Sequence, residues 1–358
     1  MESARNAGGN GDRVVTLKDV ARAADVHVST ASRALDPARS RRIGADTVAR
    51  VEAAAEQLGY TPDLIAKGLK SGTTTMIGVV VADLENPFIG PIIRGISEQV
   101  ESTGYVTLVT ETLEDHDRFE RTLNHLLSHR VDAVITTAAR RSDQHLLVRF
   151  ARRTRAFITA VRKVEGSGLP FVIMDDEQGG ELAANHLIEL RHEVLAQLRG
   201  PMDIEAFSNR AEGFHRTVGA ARAVDATVGG HASEVTAEEG RRLMAMTLDQ
   251  NPASPPTAVF AHADLMAIGA LEELRSRGLN CPRDISIVGY DDAPLVNRIS
   301  PSLSTIALPG LEIGARAGEM VLEMLAEPGE PPKSVRLPAE LIPRDSSGPP
   351  PGAQRPEG

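Results

Sequence analysis

At 358 residues the chain is too long for one compact core and fits a small domain plus a two-lobed one, and no apolar run approaches the roughly 20 residues of a membrane span. Its single cysteine, Cys281, excludes an internal disulfide framework and a multi-thiolate metal site, and suits a reducing compartment. The net charge of −10 excludes a general nucleic-acid binder, yet residues 1–72 hold 11 Lys/Arg against 9 Asp/Glu while the remainder holds 28 against 40, so only the front end can face phosphate.

In chain order, residues 1–15 are Gly/Asn-rich, carry no apolar core for a signal peptide or anchor, and are expected to be disordered. The run Thr16-Leu17-Lys18-Asp19 has the form of a capping box and predicts a helix to about Ala24, with Leu17, Val20, Ala21 and Ala24 on one face. A turn at Asp25-Val26 leads to a second short helix over 28–35, with Ala31 and Leu35 inward. A third is predicted over 46–58, burying Val48, Val51, Ala55 and Leu58 and ending at Gly59 as a left-handed cap. Three helices with a tight turn between the first two suggest a helix-turn-helix unit over residues 16–61.

The residues Thr16-Leu17-Lys18-Asp19-Val20-Ala21, Val26, Thr30-Ala31-Ser32-Arg33-Ala34-Leu35 and Leu58-Gly59-Tyr60-Thr61-Pro62 closely resemble the DNA-binding head of the lactose-repressor (LacI/GalR) family. The resemblance implies that the second helix enters the major groove. His27, Val28 and Ser29 then hold the variable positions used for sequence choice, Thr30 and Ser32 match phosphate-contacting hydroxyls, and Arg33 matches a base-reading arginine. Asp25 stands where the family usually has Gly, and His27 and Gly44 replace capping serines, so both helix starts are expected to be weaker.

Residues 62–72 form the hinge helix and linker by the same resemblance. Nine helical residues with Gly68 among them are too few to stand alone in water. The resemblance implies a conditional helix that forms in the minor groove, with Leu69 as the wedge, Ala66 one turn before it, and Lys67 and Lys70 reaching phosphate. The other reading of this stretch is a plain linker.

From residue 73 to 345, continuous apolar strands alternate with amphipathic helices, which means parallel sheets covered on both faces; there are too many strands for one lobe. The order of motifs resembles the family's effector-binding body. The predicted fold class is therefore an all-α helix-turn-helix head plus a bilobed α/β body like periplasmic sugar-binding proteins, with lobe crossings near residues 161–163, 291–294 and 328–333.

Effector candidates are polar residues at strand ends facing the cleft. Asp83 and Asp264 can accept from sugar hydroxyls, Arg162 and Arg210 can donate, and Phe88 can stack on an apolar face; by resemblance Arg210 and Asp264 match the family's most regular ligand contacts. Ile204, Ala206, Val235 and Ala263 are apolar where contacting side chains often occur. Asp175-Asp176 and Asp291-Asp292 read as helix caps rather than acid/base pairs. His125 and His129 lack the Glu of a zinc motif, and no phosphate loop or nucleophile elbow is present. Residues 346–358 are Pro/Gly-rich, expected disordered, and cannot form a tetramerising leucine-heptad helix.

The sequence thus predicts a ligand-responsive, sequence-specific DNA-binding transcriptional regulator in the cytoplasm. It is read as a repressor that binds a pseudo-palindromic operator as a homodimer, with a small sugar-like effector between its lobes, and with no enzymatic activity, cofactor or metal. The alternative is a solute-binding protein of a transport system, which would share the body.

Overall fold

The computed structural model describes residues 15–36, 40–60, 73–327, 329 and 331–352. The chain divides into two compact units, residues 1–74 and 75–358.

The first unit contains α1 (Leu17–Ala23), α2 (Val28–Ala34) and α3 (Ala45–Leu58). Thr16 and Asp19 close the predicted box, Asp19 accepting from the Thr16 amide at 3.0 Å and its hydroxyl at 2.6 Å. Asp25 takes the left-handed turn at φ 51°, and Gly59 caps α3 at φ 65°. Val20, Ala21, Ala24, Ala31, Ala34, Val51, Ala54 and Ala55 form the core. Leu58, expected inward, is exposed because the last turn of α3 runs past these small residues.

In the second unit, β1 (Met76–Val81), β2 (Val106–Glu111), β3 (Ala133–Thr136), β4 (Ala156–Ala160), β5 (Phe171–Met174) and β11 (Val335–Leu337) form a parallel sheet of order β11-β5-β4-β3-β1-β2. Strand alternation sends Ile77, Val79 and Val81 toward α4 (Ile89–Glu101) and α11 (Gly310–Ala326). Val80 goes to the opposite face, toward α5 (His116–Ser128) and α6 (Gln144–Ala151).

The second lobe is built the same way. Its sheet, of order β12-β10-β9-β8-β6-β7, uses β6 (Val194–Leu198), β7 (Val224–Asp225), β8 (Ala258–Ala261), β9 (Ser286–Asp291), β10 (Ser304–Ala307) and the antiparallel β12 (Glu340–Ile342). One face carries α7 (Asp176–Glu189) and α8 (Glu205–Ala220), the other α9 (Ala237–Gln250) and α10 (Asp264–Ser276).

Three helix pairs meet backbone to backbone through glycine. A Cβ at Gly95 or Gly314 (α4, α11), Gly180 or Gly213 (α7, α8), and Gly240 or Gly269 (α9, α10) would lie within 2.2 Å of a carbonyl oxygen on the facing chain.

The lobe crossings differ from the expected ones. They fall after β5, after β10 and between β11 and β12, because β5 returns beside β4 through a loop instead of a helix and β10 stays in the second sheet. The body also runs past residue 345. The Ser346 hydroxyl donates to the Ile287 carbonyl at 2.6 Å and accepts from the Ser304 amide at 2.8 Å, and the Gly348 carbonyl accepts from the Ser286 hydroxyl at 2.9 Å, so the first tail residues fasten the second lobe.

Candidate functional site

In the head, α2 presents His27, Ser29, Ser32 and Arg33 exposed, with Thr30 half-buried. Val28 is also half-buried and packs against the core, so only part of its side chain is free to meet a base. The expected weakness at the start of α2 is repaired locally, since His27 Nδ1 accepts from the Ser29 amide at 3.2 Å. Gly44 offers no side-chain cap to α3. Arg33 Nε donates to the Ser29 carbonyl at 3.1 Å, which leaves its terminal nitrogens outward. Ala66, Lys67, Leu69 and Lys70 lie outside the described residues.

Between the lobes lies a cavity of about 240 Å³. Asp83, Phe88, Arg162 and Arg210 all line it, as do Ala206, Val235 and Ala263, which make an apolar wall. Ile204 is buried elsewhere, against Phe207.

Arg162 is aimed inward by a strained turn. Val161 has φ 67°, unusual for a β-branched residue, and the Arg162 amide donates back to the Ala160 carbonyl at 2.7 Å. Its guanidinium forks onto Glu114 at 2.6 and 3.0 Å. Burial alone would push the Glu114 carboxyl up, but Arg162 and then Arg140 reverse this and hold it below the usual range. Leu113, Glu114 and Asp291 also line the cavity at positive φ (53°, 57° and 121°). Non-glycine strain of this kind costs about 1–3 kcal/mol per residue and persists where surroundings enforce it.

Arg210, on α8, is fully enclosed. Nε donates to Asp176 at 2.8 Å and Nη1 to the His262 carbonyl at 2.5 Å, while the guanidinium lies 3.4 Å from the Tyr290 ring centroid and 4.8 Å from that of Phe207. Tyr290 donates to the same Asp176 oxygen at 2.9 Å. Burial and Arg210 push the His262 imidazole well below its ordinary value, so it is neutral; Nδ1 accepts from the Gly200 amide and Nε2 donates to Gln197.

Asp264 does not line the cavity. It sits beneath the floor, where one oxygen accepts from the Ala293 amide at 2.8 Å and the other from the Thr305 hydroxyl at 2.7 Å. Asp264 braces the loop after β9 against β10. Burial pushes its carboxyl up to about 7 despite both bonds.

Asp291, read from sequence as a cap, also reaches the cavity, at the carboxyl end of β9. Burial pushes its carboxyl well above the ordinary range, against the pull of Arg210. Thr137 was not singled out. It is buried at the cavity wall, and its Oγ1 has no hydrogen-bond partner, which is costly unless something in the cavity supplies one. The position of both residues just beyond apolar strands was the available signal.

Residues 16–63 match the model of the bacterial regulatory proteins of the lacI family, and residues 184–347 that of a periplasmic binding protein-like domain. The HTH-type transcriptional repressor PurR of Aliivibrio salmonicida (strain LFI1238) is 30% identical over 350 residues, which cover 93% of this chain and 99% of that protein. The chain belongs to the LacI family. As a LacI-family protein it is a DNA-binding transcriptional regulator, and the transport reading falls. The fold extends to the lac repressor dimer bound to operator and the anti-inducer ONPF, at TM-score 0.82 and 24% identity over 94% of this chain and 100% of that one. A LacI family transcriptional regulator from Enterococcus faecium with bound ribose is 28% identical at TM-score 0.65, over 76% of this regulator and 99% of that chain. No helix among the described residues is long and apolar enough to cross a membrane.

Proposed function

We propose that this regulator is a repressor whose effector is a small, uncharged polyhydroxylated molecule of monosaccharide size, held in the inter-lobe cavity by Arg162, Arg210, Asp83, Asp291 and Thr137 and stacked on Phe88. The observation that carries this is the buried, unpartnered Thr137 hydroxyl in a wall that also offers guanidinium donors and carboxyl acceptors. Sugars present alternating donors and acceptors around an apolar face, which suits such a lining. Both arginines are already matched by Glu114 and Asp176, which favours a neutral ligand over a phosphorylated one. The family relative with bound ribose supports the same class.

The body is a binding site and not a catalytic one on this reading, and two of its buried acids are committed to structural partners: Asp264 to Ala293 and Thr305, Asp176 to Arg210 and Tyr290. The protein works in the cytoplasm on DNA through residues 16–61, with 62–72 as hinge and 73 onward as effector and dimerisation domain. A twofold dimer suits a pseudo-palindromic operator. Val106 and Leu108, 58% and 39% exposed on the edge strand β2, fit burial against a second copy. Leu108→Glu is expected to shift the sedimentation coefficient of the full chain from dimer to monomer.

Thermal-shift titration of the full chain with ribose, cellobiose, glucose 6-phosphate and hypoxanthine tests the ligand class. A neutral sugar should raise the midpoint, and the rise should vanish in Asp291→Asn. Stabilisation by hypoxanthine or the sugar phosphate, with none by the neutral sugars, would refute the class; a sugar response untouched by Asp291→Asn would refute the site.

A further inference from the structure

One segment of the second lobe, between β6 and the second turn of α8, is gripped from the first lobe at several points. Arg140 Nη1 donates to Asp203 at 2.8 Å. The Arg141 amide donates to the Asp203 carbonyl at 3.2 Å, and its guanidinium to the Ser208 hydroxyl at 2.7 Å and the Met202 carbonyl at 3.4 Å. Lys163, in the loop after β4, pairs with Glu205 at 2.7 Å. Every one of these contacts joins one lobe directly to the other.

The Arg140 side chain is placed by the cavity wall. Its Nε donates at 3.1 Å to Glu114, the carboxylate that also takes the fork of Arg162. Asp203, Arg140, Glu114 and Arg162 therefore form a continuous charge-alternating row from the rim to the cavity. Glu205 pairs with Lys163 through Oε1 alone, and its buried Oε2 has no hydrogen-bond partner, a cost that this contact carries.

We infer that Arg140 and Arg141 form a latch that draws the lobes together independently of the effector, with Glu114 as the residue that positions it. The latch acts on lobe closure whatever molecule the cavity takes. Its effect is to raise the fraction of the chain that is already binding-competent, and apparent effector affinity scales with that fraction. Because Asp203 is half exposed and Arg140 one-fifth exposed, salt should weaken the latch.

The test is a distance measurement between nitroxide labels on the full chain, with Cys281→Ser and cysteines replacing the exposed Arg152 of the first lobe and Glu238 of the second. In about 0.05 M salt and without added sugar, the closed distance should dominate. The double variant R140Q/R141Q should lower the closed-to-open ratio about fivefold, the scale of one partly exposed ion pair and the hydrogen bonds beside it. D203N/S208A, made on the other lobe, should do the same, and combining all four changes should add nothing further, as for groups that act only on each other. E114Q should give part of the loss, and 1 M salt, where the screening length is about 3 Å, should reproduce it in the unmodified latch. Overlapping distance distributions in the parent, both double variants and high salt would overturn the inference, as would losses that add in the fourfold variant.

Discussion

Replacing Arg210 by alanine should destabilise the body far more than removal of a cavity-lining side chain ordinarily would. Arg210 is 3% exposed and Asp176 4% exposed, and the 2.8 Å bond between them is what compensates the buried carboxylate. Without the guanidinium, Asp176 keeps only the Tyr290 hydroxyl at 2.9 Å, and the space between the Tyr290 and Phe207 rings is vacated. Removing one partner of a buried pair costs about 3–5 kcal/mol. In a unit of this size each kcal/mol lowers the midpoint by about 2–4 °C, so a fall of roughly 10 °C is expected by calorimetry near pH 7.5. Burial already pushes the Asp176 carboxyl upward, so the orphaned group can escape by taking a proton, and the deficit should shrink near pH 5.5. Arg210→Ala/Asp176→Asn should regain much of the loss, since a neutral amide no longer needs the cation. A deficit that is the same at both pH values and undiminished in the double variant would refute the compensation argument.

Asp264 supplies a pH dependence of known sign. Its folded value of about 7 lies above the 3.8 of a free carboxyl, so the folded state binds the extra proton between those limits. That contribution to stability is full below the unfolded value and lost as pH rises through about 7, and unfolding midpoints measured from about pH 5 to pH 8 should fall with a slope that Asp264→Asn flattens. Gly180→Ala places a Cβ 2.1 Å from the Arg210 carbonyl, a backbone atom that cannot swing aside, and should cost about 3 kcal/mol, the upper end for overpacking, in denaturant unfolding. Thr137→Val removes a hydroxyl that has no partner, so it should raise the stability of the free chain by about 1 kcal/mol while weakening the stabilising sugar about tenfold by calorimetry; equal affinity would remove Thr137 from the contacts. Arg33→Ala should relax the sequence recovered from randomised duplexes at one base pair per half-site, worth about 1–3 kcal/mol of discrimination.

The head was legible because its signals are local. A capping pair three residues apart, a left-handed Gly59 and small apolar residues at spacings of three and four each constrain the chain within one turn. The cavity was only half legible, because strand ends are visible in a sequence but their reach is not. The apolar pattern ends β9 near Val288, whereas pairing with β10 carries the strand on to Asp291, which delivers that carboxyl to the cavity. Of the two acids chosen from sequence, Asp83 lines the cavity, whereas Asp264 is held by Thr305 and Ala293 outside the lining. Asp175 does cap α7, through the Gln178 amide, but its neighbour Asp176 is the partner of Arg210, a contact between residues 34 apart that no local pattern encodes. Gly179 and Gly180 are buried in α7 where the Tyr290 ring and the Arg210 carbonyl approach closely, contacts that a local pattern does not encode.

The glycine contacts between paired helices govern how a bound molecule can be sensed at all. Side-chain layers between helices act as a lubricant, letting one element slide by an ångström or two over another. Where backbone rests on backbone, as at Gly95 and Gly314, Gly180 and Gly213, and Gly240 and Gly269, that lubricant is missing. Each lobe then behaves as a stiff lever, and force applied at the cavity wall is delivered as torque at the three chain crossings instead of being dissipated inside the lobes.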